Sequence, residues 1–465
     1  MRHAPPAPSP TACHAVPWYD RAVAAPLAAS LSVSAAYASN HVADSLEIRT
    51  SAPVAGTVHP PGSKSITNRA LVCAALAEGR STLIGALDSD DTRLMVEALG
   101  QLGVTLAVDL RDQVIVVRGC AGEFASSPGE LFVGHSGTTA RFLAALLTLG
   151  HGTFRMDGTP RMRERPIGDL LDALNQLGAE ARSVLGTGCP PILVRARGLA
   201  GGQTTVRGDI SSQFLSGLLM VSPHAREQVE ITVEGELVSK PYVRMTLAVM
   251  AAFGIHARVD GLRRFTVPLA QYQACNYEIE PDASAASYFF AAAAITGGKV
   301  TVAGLSRTSL QGDVALVDVL ARMGCRVEEG PQSLTVFGAP LRGLEVDMNA
   351  ISDTVPTLAA VALFATGPTT ITGVRHIRHK ETDRIAAVAT ELRKLGAVVD
   401  ELDDGLRINP MRLRGTTIET YDDHRMAMAM SLVGLRVPGV IISDPGCTAK
   451  TYPRFFRDLD SICAR

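Results

Sequence analysis

The chain has 465 residues, of which 46% are hydrophobic, 19% charged and 5% aromatic. That is enough apolar material for a large buried core, and it excludes a disordered, collagen-like or coiled-coil protein. Forty-four Lys plus Arg oppose 46 Asp plus Glu for a net charge of -2, so no global positive field marks a nucleic-acid or anionic-membrane partner, and any anion site has to be local.

Residues 1–45 are rich in Ala, Pro and Ser and poor in acids, which reads as a disordered or targeting extension. The expected location is the cytoplasm, or a plastid if this segment is a transit peptide. No apolar run reaches the roughly 18 to 20 residues of a membrane helix, and the eight cysteines form no C-x-x-C pair, so neither a zinc site nor a redox pair is expected.

Two kinds of segment then alternate. The first is a small or polar start followed by an Ala/Leu-rich helix, beginning near Ser63, Ser136, Ser211, Asp282, Ser352 and Asp422, at intervals of 70 to 75 residues. The second is an amphipathic helix ending in an apolar-Gly-apolar stop at Gly103, Gly178, Gly254, Gly324 and Gly396, where Gly supplies a left-handed cap. Its sixth copy is Pro453 to Cys463. Between the helices lie β-branched runs such as VIVV (114–117), VEITV (229–233), KVTVAG (299–304) and TTITG (369–373), which read as strands.

A period near 70 exceeds the 20 to 50 residues of common solenoid units and predicts six βαβαββ-like units in an α/β fold. Copies one to three fall in 62–280 and copies four to six in 281–465. A strand at Leu46 to Val58 is expected to cross into the second group. The predicted domains are therefore 46–61 plus 281–465, and 62–280, with hinges near Pro61 and Glu280.

Helix N-termini favour anions through their free N–H groups and dipole, and the basic residues cluster at these starts and loops. Lys64 and Arg69 belong to the first copy, Arg141 to the second and Arg425 to the sixth. The second-helix loops add Arg161, Arg163, Arg165, Lys240, Arg244, Arg378, Lys380, Arg384 and Lys450. Four of the six lysines of the chain, Lys64 and these three, lie in the helix starts or loops.

PGSKSITNR (61–69) combines a turn, a Ser cap and two cations but lacks the Walker A spacing. GHSGTTAR (134–141) offers bare N–H groups at a helix start. In RHKETDR (378–384), Lys380, Glu381 and Arg384 share helical spacing, and in DDHRMAMAM (422–430), Asp423, His424 and Arg425 precede an apolar helix. Asp353 in SDTVPT is expected to cap its helix. No G-x-G-x-x-G, H-E-x-x-H or G-x-S-x-G is found, which leaves phosphate handling by Lys and Arg as the chemistry these patterns suggest.

The segments PGSKSITNRAL, SGTTARF, DGTPRMRERPIG, ISSQFLSGLLM, VSKPY, EPDASAASYF, SDTVPT, HKETDRI, YDDHRMAMA and DPGCTAKTYP together resemble the 5-enolpyruvylshikimate-3-phosphate synthases, over nearly all of residues 46–465. The resemblance implies two inside-out α/β domains of three βαβαββ units each, with the active site between them. It implies transfer of the enolpyruvyl group of phosphoenolpyruvate to the 5-hydroxyl of shikimate 3-phosphate by addition and elimination, with no cofactor and no metal, in a monomer whose partners are these two small molecules.

Carried over by motif, Asp353 takes the hydroxyl proton, Glu381 protonates the methylene carbon and Lys64 lies between the substrates. Shikimate 3-phosphate is then held by Lys64, Ser65, Arg69, Ser211, Ser212, Gln213, Ser239, Tyr242, Asp353, His376 and Lys380. Phosphoenolpyruvate is held by Lys64, Gly137, Arg161, Gln213, Arg384, Arg425 and Lys450. Two residues depart from the family pattern, His135 and His376, each where Asn is common. Gly137 keeps the small residue that leaves room for glyphosate.

A sister enzyme, which uses UDP-N-acetylglucosamine, generally carries a cysteine in the loop that here reads DGTPRMRERP (157–166). A non-enzymatic binder of phosphometabolites or RNA ends is the other alternative. It would not need Asp353 and Glu381 together with the cations.

Overall fold

The computed structural model describes residues 44–124 and 128–463; residues 1–43, nearly all of the expected extension, lie outside them. Twelve α-helices form among the described residues. They are α1 (Lys64–Leu76), α2 (Asp90–Gln101), α3 (Gly137–Leu146), α4 (Gly168–Gln176), α5 (Ser212–Val221), α6 (Lys240–Ala252), α7 (Ala283–Thr296), α8 (Leu316–Met323), α9 (Val355–Ala362), α10 (Arg384–Lys394), α11 (His424–Gly434) and α12 (Phe455–Ser461). The odd-numbered helices are the first kind of repeat segment and the even-numbered ones the second.

Five odd helices open on the polar caps that their sequences supply. The side chains of Ser63, Ser136, Ser211, Asp282 and Asp423 accept from the N–H groups of Ile66, Thr139, Gln213, Ala285 and Arg425, each satisfying a donor that the helix leaves free. Two starts differ from the sequence reading. Asp353 does not cap α9: it lies in a 3₁₀ turn, Asn349–Thr354, and α9 begins at Val355 with Pro356 in its first turn. Its carboxylate is engaged instead by Arg384, Arg425 and Tyr242. The sixth start falls one residue late, on Asp423, because Asp422 is held left-handed at φ 52°.

At the other end of the repeat, Gly103, Gly178, Gly254, Gly324 and Gly396 follow α2, α4, α6, α8 and α10 with φ between 86° and 121°. The even helices keep a polar face to solvent. By contrast α3, α7 and α11 are buried along their whole length, which a helix apolar on every side requires. α7, α9 and α11 pack on one another, and α3 packs between α1 and α5. Helices thus fill the interior and sheets clothe it.

Among the described residues five sheets have four strands and one has three. In the second unit, Glu130–Phe132 pairs parallel with His151–Asp157, which pairs antiparallel with Ile192–Arg197 and through it with Glu180–Ser183. Units three and five repeat this order. The remaining three are completed by strands from elsewhere in the chain. Asn276–Glu278 returns to pair parallel with Glu78–Ile84 of unit one.

The strand expected at Leu46 to Val58 is two strands in two sheets. Ser45–Glu47 pairs antiparallel with Ile441–Ser443 of unit six, and Ala55–Val58 pairs parallel with Lys299–Ala303 of unit four. Pro53, which has no N–H to give a ladder, sits in the break between them.

Buried apolar residues form two cores. One gathers Ile48 to Val58 with Ala283 to Ile462, the other Ile66 to Ile279. The chain passes between them twice, and the two passages are bonded to each other: Ser63 N donates to Glu280 O (2.8 Å) and Asp282 N to Pro61 O (2.8 Å). A Cβ on Gly62 would lie 1.9 Å from the Gly85 carbonyl oxygen, so this crossing accepts no side chain. Among the described residues no helix is long and apolar enough to cross a membrane.

Candidate active site

The starts of α1, α3 and α5 from one core meet the Asn349–Thr354 turn and the starts of α10 and α11 from the other. They surround a small polar cavity between the two cores. Lys64, Ser65, Arg69, Gly137, Ser212, Gln213, Tyr242, Asp353, Lys380, Glu381, Arg384 and Arg425 line it, with Thr138 and Arg165. Twelve residues named from the sequence are therefore gathered in one place, although they come from loops more than 360 positions apart.

The charges form one network built on Arg384, which is 1% exposed. Its Nε and Nη2 donate to the two oxygens of Asp423 (2.8 and 3.2 Å), Nη2 also to Glu381 Oε2 (2.7 Å), and Nη1 to Asp353 Oδ1 (3.1 Å). Arg425 Nη2 donates to Asp353 Oδ2 (2.7 Å), and the Lys380 ammonium lies 3.6 Å from Oδ1. Lys450 Nζ is 3.1 Å from Glu381 Oε1. Lys64 Nζ is 3.3 Å from Asp91 Oδ2 at the start of α2.

Burial would raise the Asp353 carboxyl, but Arg425, Lys380, Arg384 and Lys64 outweigh it and hold it well below the usual carboxylate range. Glu381 follows the same logic: burial opposes, and Lys450, Arg384 and Arg165 prevail, again keeping the carboxyl well below its ordinary value. Both are ionised at neutral pH, each facing more cation than it can neutralise. Anions are what such a cavity lacks.

Five residues expected at the site lie outside the cavity lining. Arg161 donates from Nε to Glu381 O (3.0 Å) and from Nη2 to Lys380 O (3.1 Å), so it fastens the loop that carries Glu381. Lys450, besides pairing with Glu381, donates to His135 O (2.9 Å). Ser211 caps α5.

Ser239, at φ 52°, and His376 meet each other across the cleft. His376 Nε2 is 3.2 Å from Ser239 Oγ and 3.0 Å from Ser352 Oγ. Burial and the Lys380 charge push His376 down to about 3, so it joins that cluster as a neutral imidazole. His135, the other departure, turns its ring toward Thr159 (3.2 Å) and offers only its carbonyl to Lys450.

Arg69 is used internally, bonding Thr246 Oγ1 (2.7 Å), Ser65 O (2.8 Å), Ser216 Oγ and Tyr242 O (both 3.3 Å). It holds α1, α5 and α6 together at the edge of the cavity. Gln213 Nε2 reaches Thr138 Oγ1 (3.1 Å).

Arg165, counted among the loop cations but given no substrate by the resemblance, also lines the cavity. It is 4% exposed, its Nε and Nη1 have no hydrogen-bond partner, and its nearest carboxylate oxygen, Glu381 Oε1, is 3.8 Å away. A Cβ on Gly137 would lie 2.3 Å from its Nη2, so the glycine makes room for this guanidinium. The signal was present in the third arginine of DGTPRMRERP, just before Pro166. Among the described residues no group of three or more His, Cys, Asp or Glu is placed to hold a metal ion.

Known structures place this architecture. The EPSP synthase from Acinetobacter baumannii superposes with a TM-score of 0.76 at 24% identity, covering 90% of this chain and 98% of that one. The enolpyruvyl transferase NikO from Streptomyces tendae gives 0.70 at 21%, with 90% and 96% covered. The fold is thus the two-domain inside-out α/β fold of the enolpyruvyl transferases.

Sequence narrows the class further. The family model for EPSP synthase (3-phosphoshikimate 1-carboxyvinyltransferase) matches residues 48–459. A 3-phosphoshikimate 1-carboxyvinyltransferase from Nostoc punctiforme is 49% identical over 416 residues, 89% of this chain and 98% of that protein. One from Shewanella loihica is 49% identical over 421 residues, 90% and 99%. The chain belongs to the EPSP synthase family.

Proposed function

We propose that the protein transfers the enolpyruvyl group of phosphoenolpyruvate to the 5-hydroxyl of shikimate 3-phosphate and releases phosphate, in the shikimate route to chorismate and the aromatic amino acids. The observation that carries this reading is the pair Asp353 and Glu381, joined through Arg384 inside a cavity whose other charged lining residues, Lys64, Arg69, Arg165, Lys380 and Arg425, are all cations. A binder of anions needs only the cations; a transfer that moves one proton off a hydroxyl and another onto carbon needs both carboxyl groups.

In this reading Asp353 is the base, Glu381 the acid, and Lys64 bridges the substrates. Ser65, Arg69, Ser212, Gln213, Tyr242 and Lys380 face shikimate 3-phosphate. Arg384, Arg425 and Gly137 face phosphoenolpyruvate, and Arg165, with Nε and Nη1 free of hydrogen bonds, joins them as an anion ligand. Arg161, Lys450, Ser211, Ser239 and His376 reach substrate only if the loops they now tie rearrange. Filling the cavity with phosphates and carboxylates neutralises the cations that depress both carboxyls, which raises the basicity of Asp353 when the hydroxyl arrives and lets Glu381 take up the proton it gives to carbon. Residues 46–61 with 281–465 form one domain and 62–280 the other, in a cytoplasmic monomer.

The test is phosphate release from phosphoenolpyruvate in EDTA, with shikimate 3-phosphate or UDP-N-acetylglucosamine as acceptor. Release with shikimate 3-phosphate alone is expected; release with the UDP-sugar alone assigns the sister reaction. Glyphosate is expected to compete with phosphoenolpyruvate in the same assay.

Gly137→Ala provides a sharper check, because its methyl group would have to displace the Arg165 guanidinium. The KM for phosphoenolpyruvate should rise about tenfold or more, the loss of one charge-assisted contact of about 1.5–3 kcal/mol. The KM for shikimate 3-phosphate should stay within about twofold. Arg165→Gln should reproduce that pattern, and an unchanged phosphoenolpyruvate KM in both would remove Arg165 from the site.

A further inference from the structure

Behind the base lies a second buried carboxyl group that this reaction scheme leaves unused. Asp313, in the short turn Gly312–Ala315 after a Gln, is 4% exposed. Its Oδ1 has no hydrogen-bond partner, while Oδ2 accepts from the Ser284 hydroxyl and lies 3.0 Å from Tyr242 Oη. The same phenol oxygen is 3.1 Å from Asp353 Oδ2. A phenol carries one proton and can donate it to one carboxylate at a time, so the other contact is made good only when a carboxyl group brings a proton of its own. Asp353, Tyr242 and Asp313 form an unbroken proton path leading away from the cavity.

We propose that Asp313 is the final acceptor of the proton that Asp353 removes from the substrate hydroxyl, received through the Tyr242 hydroxyl. This rests on the reading of Asp353 as the base. The O–H bond of the acceptor alcohol breaks as its oxygen attacks, and the proton joins Asp353. Asp353 then gives a proton to Tyr242 Oη while the original phenol proton passes to Asp313 Oδ2. Tyr242 ends unchanged, Asp353 is again a carboxylate, Asp313 is a carboxylic acid, and no electron is gained or lost. The proton leaves to water when product is released. Asp313 touches no substrate and is a positioning residue acting through its neighbours.

The electrostatics run the right way along this path. Burial and then the Asp353 charge push Asp313 up to about 6, with Arg425 and the hydroxyls of Ser284 and Tyr242 opposing. The groups facing it are Ser284 from α7, Asp353 from the Asn349–Thr354 turn, Tyr242 from α6 and Arg425 from α11, while the cap Asp282 acts on Tyr242. Arg425 is the one cation among these, and it is bonded to Asp353. A proton therefore moves downhill from Asp353, held well below the ordinary range, to Asp313, which sits closer to working pH.

The experiment uses the full chain as wild type, Asp313→Asn, Tyr242→Phe and the double variant. In substrate-free wild type, the infrared carbonyl band of a protonated carboxyl should grow as pH falls through about 6, and Asp313→Asn should lack it. Because the folded value lies above the ordinary carboxyl value, Asp313 costs stability at pH 8, and this cost disappears below about pH 4. Asp313→Asn should therefore melt higher than wild type at pH 8.

The same variant should lose about 10- to 100-fold in kcat, keep both KM values within about twofold, and move the acid limb of kcat to lower pH. In the Tyr242→Phe background it should cost nothing further. A buried Asp that merely shapes the turn would instead lower the melting temperature, and an insoluble variant would count the same way. The proposal is overturned by that loss of stability, by no band in wild type, or by losses that multiply in the double variant. If wild type releases no phosphate while the band and the melting difference stand, it is the reading of the reaction that fails, and the relay with it.

Discussion

Replacing Asp353 by Asn is expected to lower kcat by about 10²- to 10⁴-fold, the range for loss of a general base, while both substrates bind at least as tightly as before. The two halves of this expectation have one cause. The Asp353 carboxylate occupies Arg425 (2.7 Å), Arg384 (3.1 Å) and Lys380 (3.6 Å), the same cations that the reading assigns to phosphate and carboxylate groups of the substrates. An amide of the same size removes that competitor and leaves the cavity more positive. KM should fall or hold while kcat collapses, the pattern of a residue whose contribution is made in the transition state. Titration calorimetry with shikimate 3-phosphate, beside single-turnover phosphate release, separates the two effects. Unchanged turnover would take the role of base away from Asp353, and weaker binding would show that its charge organises the site without competing for it.

How much of this was legible beforehand follows from the range of the interactions involved. The six units could be read because their punctuation is local: a Ser or Asp cap and a left-handed Gly depend on residues within a few positions of each other. The exchanged strands could not. Asn276–Glu278 and Ser45–Glu47 have three residues each, too few to show a period, and their partners lie about 190 and 400 positions away. The cations at the helix starts were legible as an anion trap, and their roles came from the resemblance alone. Hidden in one dimension was the use of side chains such as Arg161 and Lys450 as fasteners across the cleft. Hidden too was Asp313, which sits in an unremarkable Q-G-D and gains meaning only when Tyr242 and Asp353 are brought to it.

Removing Arg384 should have the largest effect on stability of any change in the site. Its guanidinium serves Asp353, Glu381 and Asp423, and with 1% exposure no water stands ready to replace it. Taking away one partner of a buried ion pair leaves an uncompensated charge and costs about 3–5 kcal/mol, so Arg384→Ala should lower the unfolding free energy obtained from urea denaturation by that amount at pH 7. Arg384→Lys retains the charge but not the fork that reaches three carboxylates, and should fall between.

The pH dependence fixes the cause. Glu381 is held well below its ordinary value, burial opposing and Lys450, Arg384 and Arg165 prevailing. Its stabilising contribution is therefore fully present above the unfolded carboxyl value and is lost as pH falls through the folded one. In Arg384→Ala this depression shrinks and the carboxylates take up protons sooner, so the difference from wild type should narrow as pH falls from 7 toward 4. A gap that stays constant over that interval would mean that Arg384 stabilises the fold through packing alone. A gap that closes would make the charge network that binds the anions the same network that holds α10, α11 and the Asn349–Thr354 turn in register.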